Sequence, residues 1–191
     1  MKSISFIIPC YNEEKRLAKT FKALEGVVLP RGLMLEQIIF VDDGSCDKTF
    51  EKINNYAQNM TLPIVVISYK NNRGKGYAIR QGMFESESDY TLFFDADIST
   101  PLAEIKKFAP HVQNNVPVII GTRKNGKSTV IKHQPIYREL LGKIFTQITR
   151  IFLQVNVSDF TCGFKAFSKN AIDDIFPKTK INGWGYDAEI L

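Results

Sequence analysis

The sequence predicts an α/β fold in which helices flank a mainly parallel β-sheet. Apolar runs of strand length alternate with amphipathic segments of helical length, an order typical of repeated strand–helix–strand units. The runs are continuously apolar, as expected for strands that are buried on both faces of a sheet. Polar clusters follow three of these runs directly, at residues 9–13, 42–45 and 95–97. The length of 191 residues fits a single domain.

Periodicity and turn residues predict the first elements. Residues 4–8 form a strand that a proline ends, and residues 13–25 form a helix that Gly26 ends. Residues 35–41 form the second strand. Ser45 is predicted to cap the next helix at its amino terminus. Three residues form the apolar face of that helix: Phe50, Ile53 and Ala57.

Three more apolar runs complete the predicted sheet, at residues 64–68, 90–94 and 116–120. A loop at residues 71–76 and a helix at residues 77–87 follow the first of them, and Pro101 suits the first turn of a short helix. Ligands of open α/β sheets bind outside the carboxyl ends of the strands. The three polar clusters are therefore expected to meet in one site.

After residue 120 the alternation stops. A basic loop at residues 122–134 leads into a long helix at residues 136–153, which has a wide apolar stripe. Two interpretations of this helix stay open. It packs on the domain as an ordinary amphipathic helix, or it lies partly at a membrane surface, because basic flanks beside an apolar face suit anionic lipid.

The net charge of +5 is concentrated in this part of the chain. Residues 122–150 contain seven basic residues and one acidic residue, a net +6, so the remainder carries about −1. Such a patch implies an anionic partner. We expect no nucleic acid, because the patch lacks interleaved aromatic residues for base stacking and matches no nucleic-acid-binding motif.

Cysteine and histidine usage argues against disulfides and zinc. The three cysteines are scattered and form no CxxC pair, which favours a reducing compartment. Neither of the two histidines has metal-ligand spacing to a cysteine. No run approaches the 18 apolar residues of a membrane span. We therefore expect a cytoplasmic protein, peripheral at a membrane face.

The segment Asp95, Ala96 and Asp97 carries two carboxylates on one tight turn after an apolar strand. Hard oxygen ligands of this kind suit Mg²⁺ or Mn²⁺ shared with the phosphates of a substrate. The alternative is a pair of solvated carboxylates in a turn. Their place at the end of a buried strand favours the metal, because an unpaired acidic pair there would be costly without a cation.

Asp42 ends another strand, where a carboxylate can accept hydrogen bonds from a base or from ribose hydroxyls. The nearby Gly74, Lys75 and Gly76 do not form a Walker A phosphate loop. That motif needs glycine where Tyr69 stands and serine or threonine where Gly76 stands. Lys75 is nevertheless expected to lie near a diphosphate.

Four motifs, in their order and spacing, resemble family-2 glycosyltransferases of the GT-A (Rossmann-like) fold: residues 8–14, 41–45, 72–76 and 95–97. Later segments resemble dolichyl-phosphate glucosyltransferases and, less closely, dolichyl-phosphate mannose synthases: residues 121–123, Arg138, residues 158–165 and residues 184–191. The likeness covers essentially the whole chain.

The resemblance implies roles for individual residues. Four would hold the nucleoside of the donor, with Asp43 close by: Pro9, Tyr11, Glu13 and Asp42. Asp95 and Asp97 would hold the metal and the diphosphate. Arg123 and Arg138 would bind phosphate of the donor or the acceptor.

The resemblance leaves two points open around the donor sugar. Ser99 stands where mannose synthases carry a metal-contacting glutamine, which puts a third protein ligand in question. Residues 159–165 either line the sugar or serve as a strand-and-turn scaffold. UDP-glucose is favoured over GDP-mannose, because residues 162–165 look more like the glucosyltransferase branch.

The implied reaction is inverting, metal-dependent transfer of a hexose from a nucleotide diphosphate sugar to a polyprenyl or dolichyl phosphate. A phosphate monoester has a second pKa near ~6, so it can attack without a strong base, positioned by Arg123 and Arg138. One alternative is a sugar-hydroxyl acceptor, for which Asp187 or Glu189 would be the essential base. A second is a nucleotide-sugar-binding module or an inactive fragment.

The resemblance also bears on the extent of the chain. Relatives continue the helix at Leu191 into further structure, and many carry transmembrane helices. We therefore expect residues 1–191 to be one GT-A domain that is truncated at its carboxyl terminus.

Overall fold

A computed structural model describes residues 1–122, 159–183 and 185–191. This part of the chain contains six strands: β1 (Lys2–Cys10), β2 (Leu33–Asp42), β3 (Ile64–Ser68), β4 (Tyr90–Phe94), β5 (Val118–Ile120) and β6 (Phe164–Ser168). It also contains six α-helices: α1 (Leu17–Glu25), α2 (Thr49–Gln58), α3 (Lys75–Glu85), α4 (Ile105–Gln113), α5 (Lys169–Ile175) and α6 (Tyr186–Glu189). Short 3-10 turns at Leu102–Glu104 and Phe176–Lys178 adjoin α4 and α5.

The six strands form one sheet in the order β3-β2-β1-β4-β6-β5. The pairs β1–β2, β1–β4 and β2–β3 are parallel, whereas β6 runs antiparallel to both β4 and β5. The predicted α/β class with a mainly parallel sheet is confirmed. None of the described helices is long and apolar enough to cross a membrane.

Both faces of the sheet are buried, as the continuous apolar runs indicate. Phe6 and Ile8 point to one face, where the ring of Phe6 meets Phe94 edge to face at 5.5 Å between centroids. Ile7 and Phe93 point to the other face, which α3, α5 and α6 cover. The sheet therefore forms the centre of a three-layer structure.

Two details of α2 differ from the prediction. Ser45 does not cap it: the helix begins at Thr49, because the Ser45 hydroxyl accepts a hydrogen bond from the Asn12 amide instead. Asp47, two residues before the first residue of the helix, accepts from the Thr49 amide at 2.9 Å. The predicted apolar face is also wrong at Phe50, which is 42% exposed, whereas Thr49 is buried.

The observed bounds of the strands can be compared with the apolar runs that predicted them. β3 and β4 agree with the prediction to the residue. β5 is shorter than predicted, because the Val116 carbonyl accepts a hydrogen bond from the Tyr90 hydroxyl rather than joining the sheet. β6 begins at the last two residues of the segment at residues 159–165, so this segment leads into a strand of the sheet.

Candidate active site

The carboxyl ends of β1, β2 and β4 meet at one edge of the sheet. Cys10 pairs with Asp42, and Ile7 pairs with Phe93, so the three strands end side by side. The polar clusters that follow these strands are thereby brought together, as the sequence predicts: residues 9–13, 42–45 and 95–97.

The loops after β1 and β2 are locked to each other by hydrogen bonds. The Asn12 amide donates to the Ser45 hydroxyl, and the Cys46 amide donates to the Asn12 side-chain oxygen, both at 2.9 Å. The Glu13 amide donates to the Thr49 hydroxyl at 2.8 Å. These polar residues hold the loop that carries two of the predicted nucleoside ligands, Tyr11 and Glu13, whereas a third, Pro9, lies at the end of β1.

Those three ligands differ in how open they are. Pro9 is partly buried in β1, whereas Tyr11 is 47% exposed and presents its ring at the sheet edge. The Glu13 carboxylate lies 3.1 Å from the Arg16 guanidinium. A flat aromatic surface beside a carboxylate is suited to a nucleoside, because stacking and hydrogen bonding can act together.

Asp42 and Asp43 are both buried, and their carboxylates have different partners. Asp42 accepts from the Ser68 hydroxyl at 3.0 Å and from the Ser45 amide at 3.2 Å. Asp43 accepts from the backbone amides of Arg73 and Gly74 at 2.8 and 2.9 Å. The Asp43 carboxylate therefore organises the loop after β3, a role that the sequence analysis missed.

The amino terminus of α3 is closed by the chain itself. The Asn182 carbonyl accepts from the Gly76 amide at 2.8 Å and from the Tyr77 amide at 3.4 Å. A Cβ atom at Gly76 would lie 2.6 Å from the Ile181 carbonyl oxygen, so glycine is needed for this close approach. The loop at residues 74–76 thus packs against residues 181–182, and the Gly76 and Tyr77 amides are occupied. This agrees with the conclusion from the sequence that the loop is not a Walker A phosphate loop.

The Asp95–Asp97 turn lies at the end of β4. The Lys75 ammonium forms an ion pair with the Asp95 carboxylate. Asp97 accepts a hydrogen bond from the Ser99 amide at 2.9 Å and one from the Ser99 hydroxyl at 2.5 Å. Ser99 therefore orients Asp97. Ala96 is buried, and its carbonyl accepts from the Thr20 hydroxyl.

The donor set on this turn fits a cation shared with a substrate. A Cβ atom at Gly163 would lie only 2.3 Å from the Asp95 carboxylate, so a glycine there leaves room for that oxygen. Across residues 1–122, 159–183 and 185–191, no three His, Cys, Asp or Glu side chains gather as a complete metal-ligand group. Mg²⁺ sites of this kind commonly use one or two carboxylates and complete the shell with water and phosphates.

Asp187, on α6, forms a buried ion pair with Lys165 of β6. Lys165 is fully buried and also donates to the Phe160 carbonyl at 2.9 Å. Burial raises the pKa of Asp187 above its ordinary value of 3.8, and the ammonium groups of Lys165 and Lys75 oppose that rise. Sequence reasoning named Lys165 only within the segment at residues 159–165 and did not predict its ion pair with Asp187, since the only local signal is a lysine inside an apolar strand.

Several predicted features lie outside the described residues. These are Arg123, Arg138, the helix at residues 136–153 and most of the basic segment. Glu189, the other candidate base, accepts hydrogen bonds from the backbone amides of Lys180 and Ile181 at 2.8 and 2.9 Å. Both oxygens of Glu189 are therefore engaged in holding the segment before α6.

The polar clusters at the sheet edge and the aspartate turn suit the glycosyltransferase class that the sequence motifs resemble. The family model for glycosyl transferase family 2 matches residues 5–176, so the chain belongs to that family. The chain is 31% identical to human dolichyl-phosphate beta-glucosyltransferase, over 100% of this chain and 62% of that protein. It is 32% identical to the dolichyl-phosphate beta-glucosyltransferase of Saccharomyces cerevisiae, over 98% of this chain and 61% of the relative. The chain thus spans about 60% of the length of these relatives.

Solved structures confirm the GT-A fold. Glucosyl-3-phosphoglycerate synthase from Mycobacterium tuberculosis, in complex with UDP, superposes with a TM-score of 0.72 at 18% identity. The match covers 99% of this chain and 64% of that one. A mannosyltransferase from Pyrobaculum calidifontis, in complex with GDP-Man and Mn²⁺, gives a TM-score of 0.64 at 17% identity, over 97% and 49% of the two chains.

Proposed function

We propose that this chain binds UDP-glucose and a divalent cation and transfers glucose, with inversion, to a polyprenyl phosphate such as dolichyl phosphate. The observation that carries the proposal is the turn at Asp95 and Asp97. It presents two carboxylates at the sheet edge where the predicted nucleoside ligands also lie. The named relatives at about 30% identity support the choice of donor and acceptor.

Asp95 and Asp97 would hold Mg²⁺ or Mn²⁺, which would stabilise the charge that develops on the leaving UDP. The hydrogen bonds from Ser99 fix the Asp97 carboxylate before any ligand arrives. Such preorganisation favours binding, because fewer side-chain rotations are lost when the complex forms. Solved GT-A neighbours that contain UDP with Mn²⁺ or Mg²⁺ support this assignment.

The nucleoside would be bound by Tyr11, Glu13 and Asp42, and Pro9 would line the bottom of the site. Tyr11 is the most exposed of these residues and can stack on a base. Asp42 is buried and already accepts two hydrogen bonds, but each carboxylate oxygen has a further lone pair. It can therefore accept one more hydrogen bond from a base N–H or a ribose hydroxyl.

The acceptor would be a phosphate monoester positioned by Arg123 and Arg138. Guanidinium groups match phosphate oxygens in pairs, so they orient the attacking oxygen. Asp187 would act in this account as a fixed negative charge beside the sugar, not as a base. Its side chain is only 9% exposed and is held by Lys165.

A second candidate is transfer to a sugar hydroxyl. One observation favours it: burial raises the pKa of Asp187, which moves that carboxylate toward the range of a general base. The ion pair with Lys165 opposes this role, because a proton on Asp187 would leave the buried ammonium without a counter-charge. An Asp187→Asn variant that folds separates the two: it weakens transfer to a phosphate only in part, through the lost charge, and abolishes transfer to a hydroxyl, through the lost base.

Product detection tests the proposal most simply. Labelled UDP-glucose and a polyprenyl phosphate in detergent micelles, with Mn²⁺, should yield a glucosyl phospholipid. The Asp97→Ala variant should yield none. GDP-mannose serves as the competing donor, and stronger thermal stabilisation by GDP-mannose than by any UDP-sugar would contradict the donor assignment. Binding of UDP-glucose without any product would instead indicate a binding module.

A further inference from the structure

Lys75 and Asp95 form the only ion pair at the aspartate turn among the described residues. The pair joins the first residue of α3 to the residue that follows β4. Both side chains are partly open to solvent, at 26% for Lys75 and 38% for Asp95. The backbone at Gly163 lies close to the other oxygen of Asp95, so this carboxylate is held between the Lys75 ammonium and the Gly163 backbone.

The two lysines near the turn are engaged to different degrees. Lys165 is fully buried and serves both Asp187 and the Phe160 carbonyl. Within the described residues, Lys75 has one hydrogen-bond acceptor, Asp95, and its ammonium lies 5.9 Å from the centroid of the Tyr186 ring. An ammonium group can donate three hydrogen bonds. Lys75 is thus the cation that can leave its partner for another anion.

The backbone at the start of α3 is fixed by hydrogen bonds, so only the side chain of Lys75 is free to move. The Asn182 carbonyl fixes the Gly76 amide, so the helix start itself stays in place. Four flexible carbons separate the ammonium from that fixed backbone. Movement of the ammonium therefore requires side-chain rotation and no rearrangement of the helix.

We propose that Lys75 is a resident counter-ion of Asp95 that competes with the divalent cation for this carboxylate. A metal ion at Asp95 must displace the ammonium, because two cations on one carboxylate oxygen repel each other. The displaced ammonium moves to the diphosphate of the donor. This second step rests on the proposed function, whereas the competition rests on the ion pair alone.

One consequence is positive coupling between metal and nucleotide. Metal alone binds weakly because it must displace Lys75. A nucleoside diphosphate offers Lys75 a new anionic partner and thereby frees Asp95. By linkage, metal must raise the affinity for UDP by the same factor by which UDP raises the affinity for metal.

Direct measurement of Mn²⁺ binding tests the competition without any catalysis. Free Mn²⁺ is counted by electron paramagnetic resonance during titration of the chain, first without nucleotide. Lys75→Met keeps the length of the side chain and removes its charge. We expect it to bind Mn²⁺ at least about 5-fold more tightly than the unmodified chain. Lys75→Gln should change the affinity in the same direction.

Lys107→Met is the matched control. It removes the same charge from a lysine that is 62% exposed and paired with Glu104 on another part of the surface. It should leave Mn²⁺ binding unchanged. Adding Asp95→Asn to Lys75→Met should abolish the gain, which ties the effect to this carboxylate. Thermal melting of each variant confirms that it is folded.

Each outcome decides a defined part of the proposal. Equal or weaker Mn²⁺ binding by Lys75→Met, or no binding by any variant, overturns the competition. A gain that survives Asp95→Asn overturns it as well. If Lys75→Met binds Mn²⁺ more tightly but UDP raises the Mn²⁺ affinity of this variant and of the unmodified chain by the same factor, the competition stands and transfer of Lys75 to the diphosphate is wrong. Metal-dependent donor binding in the proposed function is wrong only if UDP does not raise the Mn²⁺ affinity of the unmodified chain at all.

Discussion

At the scale of single residues, the space beside Asp95 depends on one glycine. A Cβ atom at position 163 would lie 2.3 Å from the Asp95 carboxylate, closer than any real contact. Gly163→Ala should therefore displace this carboxylate and weaken Mn²⁺-dependent UDP binding by about 10- to 100-fold. Isothermal titration calorimetry measures the change.

Gly183→Ala is the control for that substitution, because nothing lies within 4 Å of the Cβ position there. It should bind UDP like the unmodified chain. Unchanged UDP binding by a folded Gly163→Ala variant would contradict the claim that the Asp95 carboxylate needs glycine at position 163.

The residue scale also shows which site features the sequence could predict. The position of Asp95 and Asp97 at the sheet edge was predictable from the end of an apolar strand, whereas their role as metal ligands stays a prediction. The use of Asp43 was not, because its partners are the amides of Arg73 and Gly74, about 30 residues away. The partner of Lys165 is Asp187, which lies 22 residues further along the chain, and no local pattern links the two.

At the scale of elements, β6 and α6 are joined through the buried ion pair of Lys165 and Asp187. Lys165→Met would leave Asp187 buried without a counter-charge, and breaking such a pair from one side costs about 3–5 kcal/mol. Urea denaturation should show a loss of this size in the free energy of unfolding. Lys107→Met, which removes an exposed lysine, should change it by less than about 0.5 kcal/mol.

A further variant keeps this test decisive if Lys165→Met folds poorly. In Lys165→Met combined with Asp187→Leu, both charges are gone and the site is apolar. Apolar replacement of a whole buried pair is often neutral or stabilising, so much of the loss should be recovered. A single variant as stable as the unmodified chain would mean that the pair does not hold the two elements together.

The starts of β1 and β4 are joined through Asp89, and this contact has a pH dependence. The Ser3 amide donates to the Asp89 carboxylate at 2.9 Å, and with Lys2 it lowers the pKa of Asp89 below its ordinary value of 3.8. A lowered pKa in the folded state contributes stability above the ordinary value, and this contribution is lost as the pH falls through the folded-state pKa.

Asp89→Asn should therefore melt at a lower temperature than the unmodified chain at pH 7. The difference should close in acid, as the pH falls below about 4. Because the Asp89 side chain is 41% exposed, solvent screens the interaction and the effect should be small. Asp174→Asn removes the same charge from an exposed side chain of α5 and reports the effect of net charge alone. A gap that is constant from pH 7 to pH 3 would contradict this account.

Elements were predictable where the information is local. β3 and β4 are apolar runs with polar ends, and both were predicted to the residue. The start of α2 was not, because Ser45 has two possible roles and a contact with Asn12, 33 residues away, decides between them. The antiparallel direction of β6 depends on the course of the chain between β5 and β6, which no periodicity in that strand encodes.

At the scale of the whole molecule, the charge distribution predicts attraction to an anionic membrane surface. The segment at residues 122–150 carries a net +6, and each basic residue near such a surface contributes about 1 kcal/mol. The chain should co-sediment with vesicles that contain anionic lipid at low salt. Binding should weaken steeply with salt, because screening shortens the range of the interaction.

Neutral vesicles of the same size are the control for that experiment. If they retain as much protein as anionic vesicles, the basic segment does not serve a membrane-bound acceptor. The proposed donor site would be unaffected by that result, because the residues proposed for it lie on the described sheet edge and outside the basic segment.

The central claim is that Asp95 and Asp97 bind a nucleoside diphosphate through a divalent cation. Calorimetric titration of UDP into the chain, with Mn²⁺ and then with EDTA, tests it most directly. We predict binding with Mn²⁺ that weakens at least about 10-fold in EDTA, a loss of about 1.4 kcal/mol or more. Asp97→Ala should show the weak affinity under both conditions. Equal affinity with Mn²⁺ and with EDTA, or an Asp97→Ala variant that binds like the unmodified chain, would contradict the account.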